Sequence, residues 1–300
     1  MQTAAIHLHV GAHKTATSYI QAQLQDNRDV LATCDVAFVP TREFRRWRVK
    51  TVRECRGNAD ALAADFGSFA AQKVVSARTL LLSDENVIGT CEQIVEHGSL
   101  YPGVLRKLGH VATMLRGYEV RLFMSLRSYD EFYPAALGEA ARGGHYISFT
   151  DFSRRLDGSG RRWPDVLHDI AQLFPASQLS VWPYELFRQR PLLIMERLVG
   201  QTLAERFDLA NETIRQSPSD QAMAILEHIG DWAPRLIGGR AVRWAEAIAG
   251  FAPAPRPYSP WPEETRDQLR ALYVSDFEAI RSDSRYEVLS DPDSSSKSLK

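Results

Sequence analysis

The 300-residue chain has only three cysteines, Cys34, Cys55 and Cys91, and no CxxC pair. An odd, scattered count excludes a disulfide framework and a thiolate zinc site, and it fits a reducing compartment. An excess of one charge is also missing. The 36 Lys and Arg against 37 Asp and Glu leave a formal net charge of −1, which argues against bulk nucleic-acid binding. No uninterrupted apolar run reaches transmembrane length, and no basic segment followed by a long apolar stretch opens the chain. Neither a membrane span nor a signal peptide is expected, and the expected location is the cytoplasm. Internal repeats are absent as well.

What is present reads as alternating strands and helices. Apolar runs at 4–10, 36–39, 79–83, 119–126 and 179–182 predict strands, the last closing the sheet. Continuous apolar runs such as Thr79-Leu80-Leu81-Leu82-Ser83 are typical of strands buried in a parallel sheet. Helical patterns fall at 17–25, 59–71 and 104–116, and again from Arg127 to Arg142, where Gly143-Gly144 stops the helix. The expectation is an α/β fold, a single domain over 1–286 with a mainly parallel sheet flanked by helices. Residues 183–282 read as helical, with breaks at 234–239 and 252–262. The tail 287–300 lacks apolar periodicity and reads as disordered.

In such sheets, sites lie beyond the carboxyl ends of the strands. Three polar clusters occupy those positions. The first is "HVGAHKTATSYIQ", residues 9–21: strand, Gly11, Lys14, the hydroxyls Thr15, Thr17 and Ser18, then a helix. Backbone N–H groups at a helix N-terminus, with a lysine beside them, bind phosphate-like anions. The spacing is not the ATP-binding G-x-x-x-x-G-K-[ST], because Ala12-His13 precede Lys14. No apolar strand ends in an Asp suited to magnesium. Caps alone would account for Thr and Ser but for neither Gly11 nor Lys14.

The second cluster is "LLLSDENVIG", residues 80–89, where a carboxylate just after a buried strand can accept a proton. Glu85 is the preferred base and His13 the competitor. Asp84 or Glu85 could instead cap the following turn, and His13 could bond a loop carbonyl. His7 and His9, at an H-x-H spacing, read as same-face strand residues rather than zinc ligands. The third cluster places Arg127 at a strand end, free to face an anion or to pair with Asp130 or Glu131. A basic stretch at 42–53, "REFRRWRVKTVR", either roofs an acceptor pocket, favouring an acidic or membrane-surface acceptor, or is a solvated face.

The pattern Gly11-x-x-Lys14-Thr15-x-Thr17-Ser18 resembles the 5′-phosphosulfate loop of sulfotransferases that use 3′-phosphoadenosine 5′-phosphosulfate. Its form is similar to the bacterial sulfotransferase-like branch, as is Ser83-x-Glu85-Asn86. The resemblance implies a P-loop-like sulfotransferase architecture without a metal. It implies donor binding by Gly11, Lys14, Thr15, Ala16, Thr17 and Ser18, and catalysis by Lys14 with Glu85 or His13. It further implies a 3′-phosphate contact from Arg127 and an adenine-side contact from Tyr184. "SPSDQAMAIL", 217–226, looks like a helix start of the same branch. Two departures stand out. Ala16 replaces a usual glycine, which is tolerable if Ala16 already lies in the helix. Ala135 replaces a serine on the 3′-phosphate, for which Ser128 or a later arginine is the substitute. Arg240 and Arg243 are the guesses for the family's last basic loop. The implied acceptor is a hydroxyl or amine of a carbohydrate, glycolipid or small molecule. The alternatives are a Mg-ATP phosphotransferase and a nucleotide-binding protein without activity.

Overall fold

The computed structural model describes residues 4–75, 77–156, 160–200, 207, 209, 217–230, 238–250 and 256–290. Six strands form one all-parallel sheet: β1 (Ala5–His9), β2 (Val36–Val39), β3 (Thr79–Ser83), β4 (Val120–Leu126), β5 (Gln178–Pro183) and β6 (Tyr286–Val288). Their spatial order is β2-β3-β1-β4-β5-β6. The strands are apolar on both faces because helices cover both. Ile6, Leu8, Leu80, Leu82, Leu122 and Met124 pack into one core, and Leu81, Phe123 and Trp182 into the other.

Seven helices matter below: α1 (Thr17–Asp26), α2 (Thr41–Cys55), α3 (Ala59–Lys73), α4 (Tyr129–Arg142), α5 (Tyr184–Gln189), α6 (Arg240–Ala249) and α7 (Glu263–Ser282). Ile20 and Leu24 seat α1 on the second core. The helix start expected at 217–226 is present. Helix Asp220–Ile229 begins after Ser219, whose side chain accepts from the Ala222 N–H at 3.2 Å.

The chain leaves β1 for β2, returns to β3 beside β1, then crosses to β4 on the other flank. The strand order therefore reverses around β1, and its carboxyl end opens at the switch point where ligands bind in such sheets. The sheet corrects one expectation. β5 is not the last strand, because Leu179 and Val181 pair with Tyr286 and Val288 of β6. Three residues are too few to show periodicity, and the pairing comes from β5. Ordered structure thus passes the expected boundary at 286, with Leu289 buried. Residues 291–300 of the expected tail lie outside the described residues. Among the described residues, no helix is long and apolar enough to cross a membrane.

Candidate anion-binding and catalytic cleft

The loop after β1 is built on left-handed backbone. Gly11 has φ +51°, and a Cβ there would lie 2.5 Å from Thr17 Cγ2. The turn needs glycine for conformation and for space. Lys14 and Ala16 also have positive φ, 63° and 62°. Ala16 is therefore not inside the helix, as its tolerance seemed to require. It is the N-cap of α1 in left-handed conformation, and its carbonyl accepts the first helical bond from Ile20 N–H at 3.0 Å. Ala16 offers no side-chain cap, and no acidic residue occupies the first turn. The first N–H groups of α1 have no intrahelical acceptor, so this end of the helix attracts an anion.

The hydroxyls divide between two tasks. Thr17 and Ser18 line the cleft above the loop, whereas Thr15 does not. Thr15 is fully buried and donates to the Ala12 carbonyl at 2.7 Å, bracing the turn from within. Gly11 likewise shapes the loop without lining the cleft.

The cleft has a volume of about 810 Å³, and His13, Lys14, Glu85, Arg127 and Tyr184 all line it. Lys14 Nζ lies 3.4 Å from Glu139 Oε2. Burial pulls the Lys14 pKa down, and Glu139 opposes that. Arg127 carries three contacts. It donates from Nη1 to the Lys14 carbonyl at 2.7 Å, pairs with Glu131 at 3.0 Å, and its guanidinium lies 4.9 Å from the Tyr184 ring centre. The expected ion pair is thus with Glu131 rather than Asp130, and it coexists with a place in the cleft wall.

The two acids after β3 separate cleanly. Asp84 is fully buried; it accepts from Asn86 N–H at 3.1 Å and from Arg45 and Arg48. It is the cap. Glu85 faces the cleft and accepts from Gln21 at 2.8 Å and from Arg45 at 3.1 Å. Burial alone would raise its pKa, but the neighbouring His13 and Arg45 outweigh burial and hold the carboxyl below its usual range.

His13 does not bond a loop carbonyl, as the alternative to its role as base supposed. Its Nε2 lies 3.0 Å from Asn86 Oδ1. Nδ1 lies 3.1 Å from the Tyr101 hydroxyl, which also accepts the His13 backbone N–H at 2.9 Å. Burial lowers the His13 pKa. Both ring nitrogens are engaged within the protein. His7 and His9 are strand residues, as expected, bonded to the Leu198 carbonyl and the Ser83 hydroxyl.

Sequence reasoning missed four arginines of the cleft lining. Arg188, Arg256, Arg266 and Arg270 line the cleft, as does Ala135. Arg266 and Arg270 stand one turn apart on α7. Arg256 is pinned where its carbonyl accepts from Asp220 N–H at 2.8 Å. Arg266 Nε is buried without a hydrogen-bond partner. The guessed Arg240 and Arg243 sit on α6 and do not line the cleft. Ser128 is not among the cleft lining, and its hydroxyl donates to Asp130.

The basic stretch is α2. Arg45 and Arg48 turn inward to Asp84, while Arg42, Arg46, Lys50 and Arg53 are exposed. Among the described residues, no group of three or more His, Cys, Asp or Glu is disposed to hold a metal ion. The chain matches no protein-family model and none of the curated proteins compared with it.

Proposed function

We propose that the chain is a sulfotransferase. It would move a sulfuryl group from 3′-phosphoadenosine 5′-phosphosulfate to a hydroxyl or amine of a carbohydrate, glycolipid or small-molecule acceptor. One observation carries the reading. An uncapped, acid-free helix N-terminus, the Lys14 ammonium and the Glu85 carboxylate share a single cleft whose lining is rich in arginine.

The residues fit a nucleotide with phosphate groups at both ends. The N–H groups of α1, Lys14, Thr17 and Ser18 would hold the 5′-phosphosulfate. Arg127, Arg266 and Arg270 would hold the 3′-phosphate, in place of the serine absent at Ala135. The buried, unpartnered Arg266 Nε is a donor awaiting such an acceptor. Tyr184, stacked beside Arg127, would border the adenine.

When bound, the donor supplies an electrophilic sulfur and a bisphosphate leaving group. Glu85 takes the proton from the acceptor as its oxygen or nitrogen bonds to sulfur. Its pKa is kept low enough to leave the carboxylate ionised at neutral pH, ready to accept. Lys14 and the α1 N–H groups stabilise charge growing on the departing phosphate oxygens. Fixed donors of this kind are worth roughly 3–4 kcal/mol each in comparable sites. His13 positions the loop through Tyr101 and Asn86 and does not act as base.

The test is binding without metal. Adenosine 3′,5′-bisphosphate should raise the melting temperature in the presence of a chelator, with stabilisation of about 2.7 kcal/mol at a hundredfold excess over Kd. Stabilisation by Mg-ATP alone would assign the cleft to a phosphotransferase. Bisphosphate binding with no transfer to any acceptor class would leave a nucleotide-binding protein.

A further inference from the structure

Glu85 is one of two carboxylates gripped by the same guanidinium. Arg45 donates from Nε and Nη2 to Asp84 Oδ1, at 2.9 and 2.6 Å. The same Nη2 reaches Glu85 Oε1 at 3.1 Å. Arg48 closes the far side, 2.9 Å from Asp84 Oδ2. Asp84 is fully buried, and Arg45 lies outside the cleft lining.

We infer that Arg45, anchored from behind by Asp84, is a positioning residue that fixes the Glu85 carboxylate in the cleft wall and keeps it ionised. The inference rests on the reading of Glu85 as the proton acceptor. Two guanidiniums and two carboxylates make the cluster neutral, so no net charge is buried. A lone Arg45 facing Glu85 would be free to swing toward a bound anion. Its bidentate attachment to Asp84 prevents that, since a planar fork holds its direction where an ammonium would not.

Other groups face Glu85 from each surrounding element: Gln21 on α1, His13 in the loop, His9 on β1, and Cys91 and Tyr101 behind. Burial keeps His9 and His13 toward the neutral form and Cys91 and Tyr101 protonated. Among the described residues, Arg45 is the permanent cation in hydrogen-bond contact with Glu85. Asp84 is a counter-anchor and not a second base, because both its oxygens are occupied and no solvent reaches it.

The deciding measurement is the Glu85 titration itself. The full chain would carry ¹³C-labelled glutamate, and the Glu85 signal would be assigned by its loss in Glu85→Gln. Arg45→Gln should raise the Glu85 pKa by about 1–2 units, the size of effect an adjacent guanidinium has on a carboxyl. Arg45→Lys should raise it by less. Binding of adenosine 3′,5′-bisphosphate should stay within about twofold of wild type, because Arg45 does not line the cleft. Where transfer activity is measurable, the acid limb of kcat/KM should move up with the Glu85 pKa.

A Glu85 pKa that moves by less than about 0.3 unit in both variants, against the 1–3 units typical of such a pair, overturns the inference. Should Arg45→Gln fail to fold, Arg45→Met, which also removes the charge, decides by the same criterion. A wild type that ignores the bisphosphate sinks the sulfotransferase reading instead, and the titration still reports whether Arg45 governs Glu85.

Discussion

Arg127 Nη1 donates to the Lys14 carbonyl at 2.7 Å, tying the end of β4 to the loop that follows β1. One side chain therefore shapes the anion loop, pairs with Glu131 and backs Tyr184. Lysine can supply the charge but not three directed contacts. Arg127→Lys should weaken bisphosphate binding by about 10–100-fold, the loss of a charge-assisted hydrogen bond worth roughly 1.5–3 kcal/mol. Isothermal titration calorimetry measures it, and unchanged affinity would remove Arg127 from the site.

Glu139 tests the opposite sign. Its carboxylate sits in the cleft wall against Lys14 and repels an incoming phosphate. Glu139→Gln should tighten bisphosphate binding near neutral pH by up to about fivefold, since a partly exposed pair is worth about 1 kcal/mol or less. Glu139 also helps Lys14 keep its proton against burial. The variant's advantage should therefore fade as pH rises, earlier than any loss in wild type. Titrations at neutral and alkaline pH show both effects.

The cationic wall should separate nucleotides by their 3′ end. Arg266→Ala and Arg270→Ala should each cost roughly 10–100-fold in affinity for adenosine 3′,5′-bisphosphate and far less for adenosine 5′-phosphate. Ala135→Ser adds a hydroxyl to the same cleft lining and should gain less than about tenfold for the bisphosphate, a neutral donor being worth about 1 kcal/mol. Equal losses for both nucleotides would place the 3′-phosphate elsewhere.

Ala16, at φ 62°, carries a strain that glycine would not. Leaving left-handed backbone to an alanine costs about 1–2 kcal/mol, and glycine returns about 0.4–1 kcal/mol through a freer unfolded chain. Ala16→Gly should gain about 0.5–1 kcal/mol in urea unfolding. Gly11→Ala should do the reverse, because its Cβ collides with Thr17.

His9 predicts acid sensitivity. Burial pushes its pKa down to about 4, with Glu85 opposing. The unfolded chain protonates His9 near 6.5 while the folded chain does not. Below that pH the unfolded state binds more protons, so stability falls as pH drops and levels off near pH 4. The loss attributable to His9 is about 3 kcal/mol. His9→Gln should flatten the dependence in urea unfolding between pH 7 and pH 4, leaving the shares of His7 and His13.

The sheet was legible because parallel strands are buried on both faces and write themselves as unbroken apolar runs, as at Leu80-Leu81-Leu82. β6 was not, since a three-residue strand owes its existence to β5. At the site, Gly11 and Lys14 announced the loop, and an acid pair after β3 announced a carboxylate in the cleft wall. Which acid was free depended on where Arg45 and Arg48 pointed, and no local pattern states that. Arg256, Arg266 and Arg270 reach the cleft through long-range packing. Their one local sign was Arg266 and Arg270 four residues apart, just after the helix start at Pro262.

Lys14 and Arg270 face the same cleft from near opposite ends of the chain. During synthesis the N-terminal part emerges first, so β1, its loop and α1 exist long before α7 does. A chain that stops short of Glu263 has the loop and Glu85 but lacks Arg266 and Arg270. Pairing of β1 with β3 and β4 is itself non-local and slow to form. The cleft is therefore lined in full only once α7 has emerged and packed, its last wall lying far downstream of its first loop.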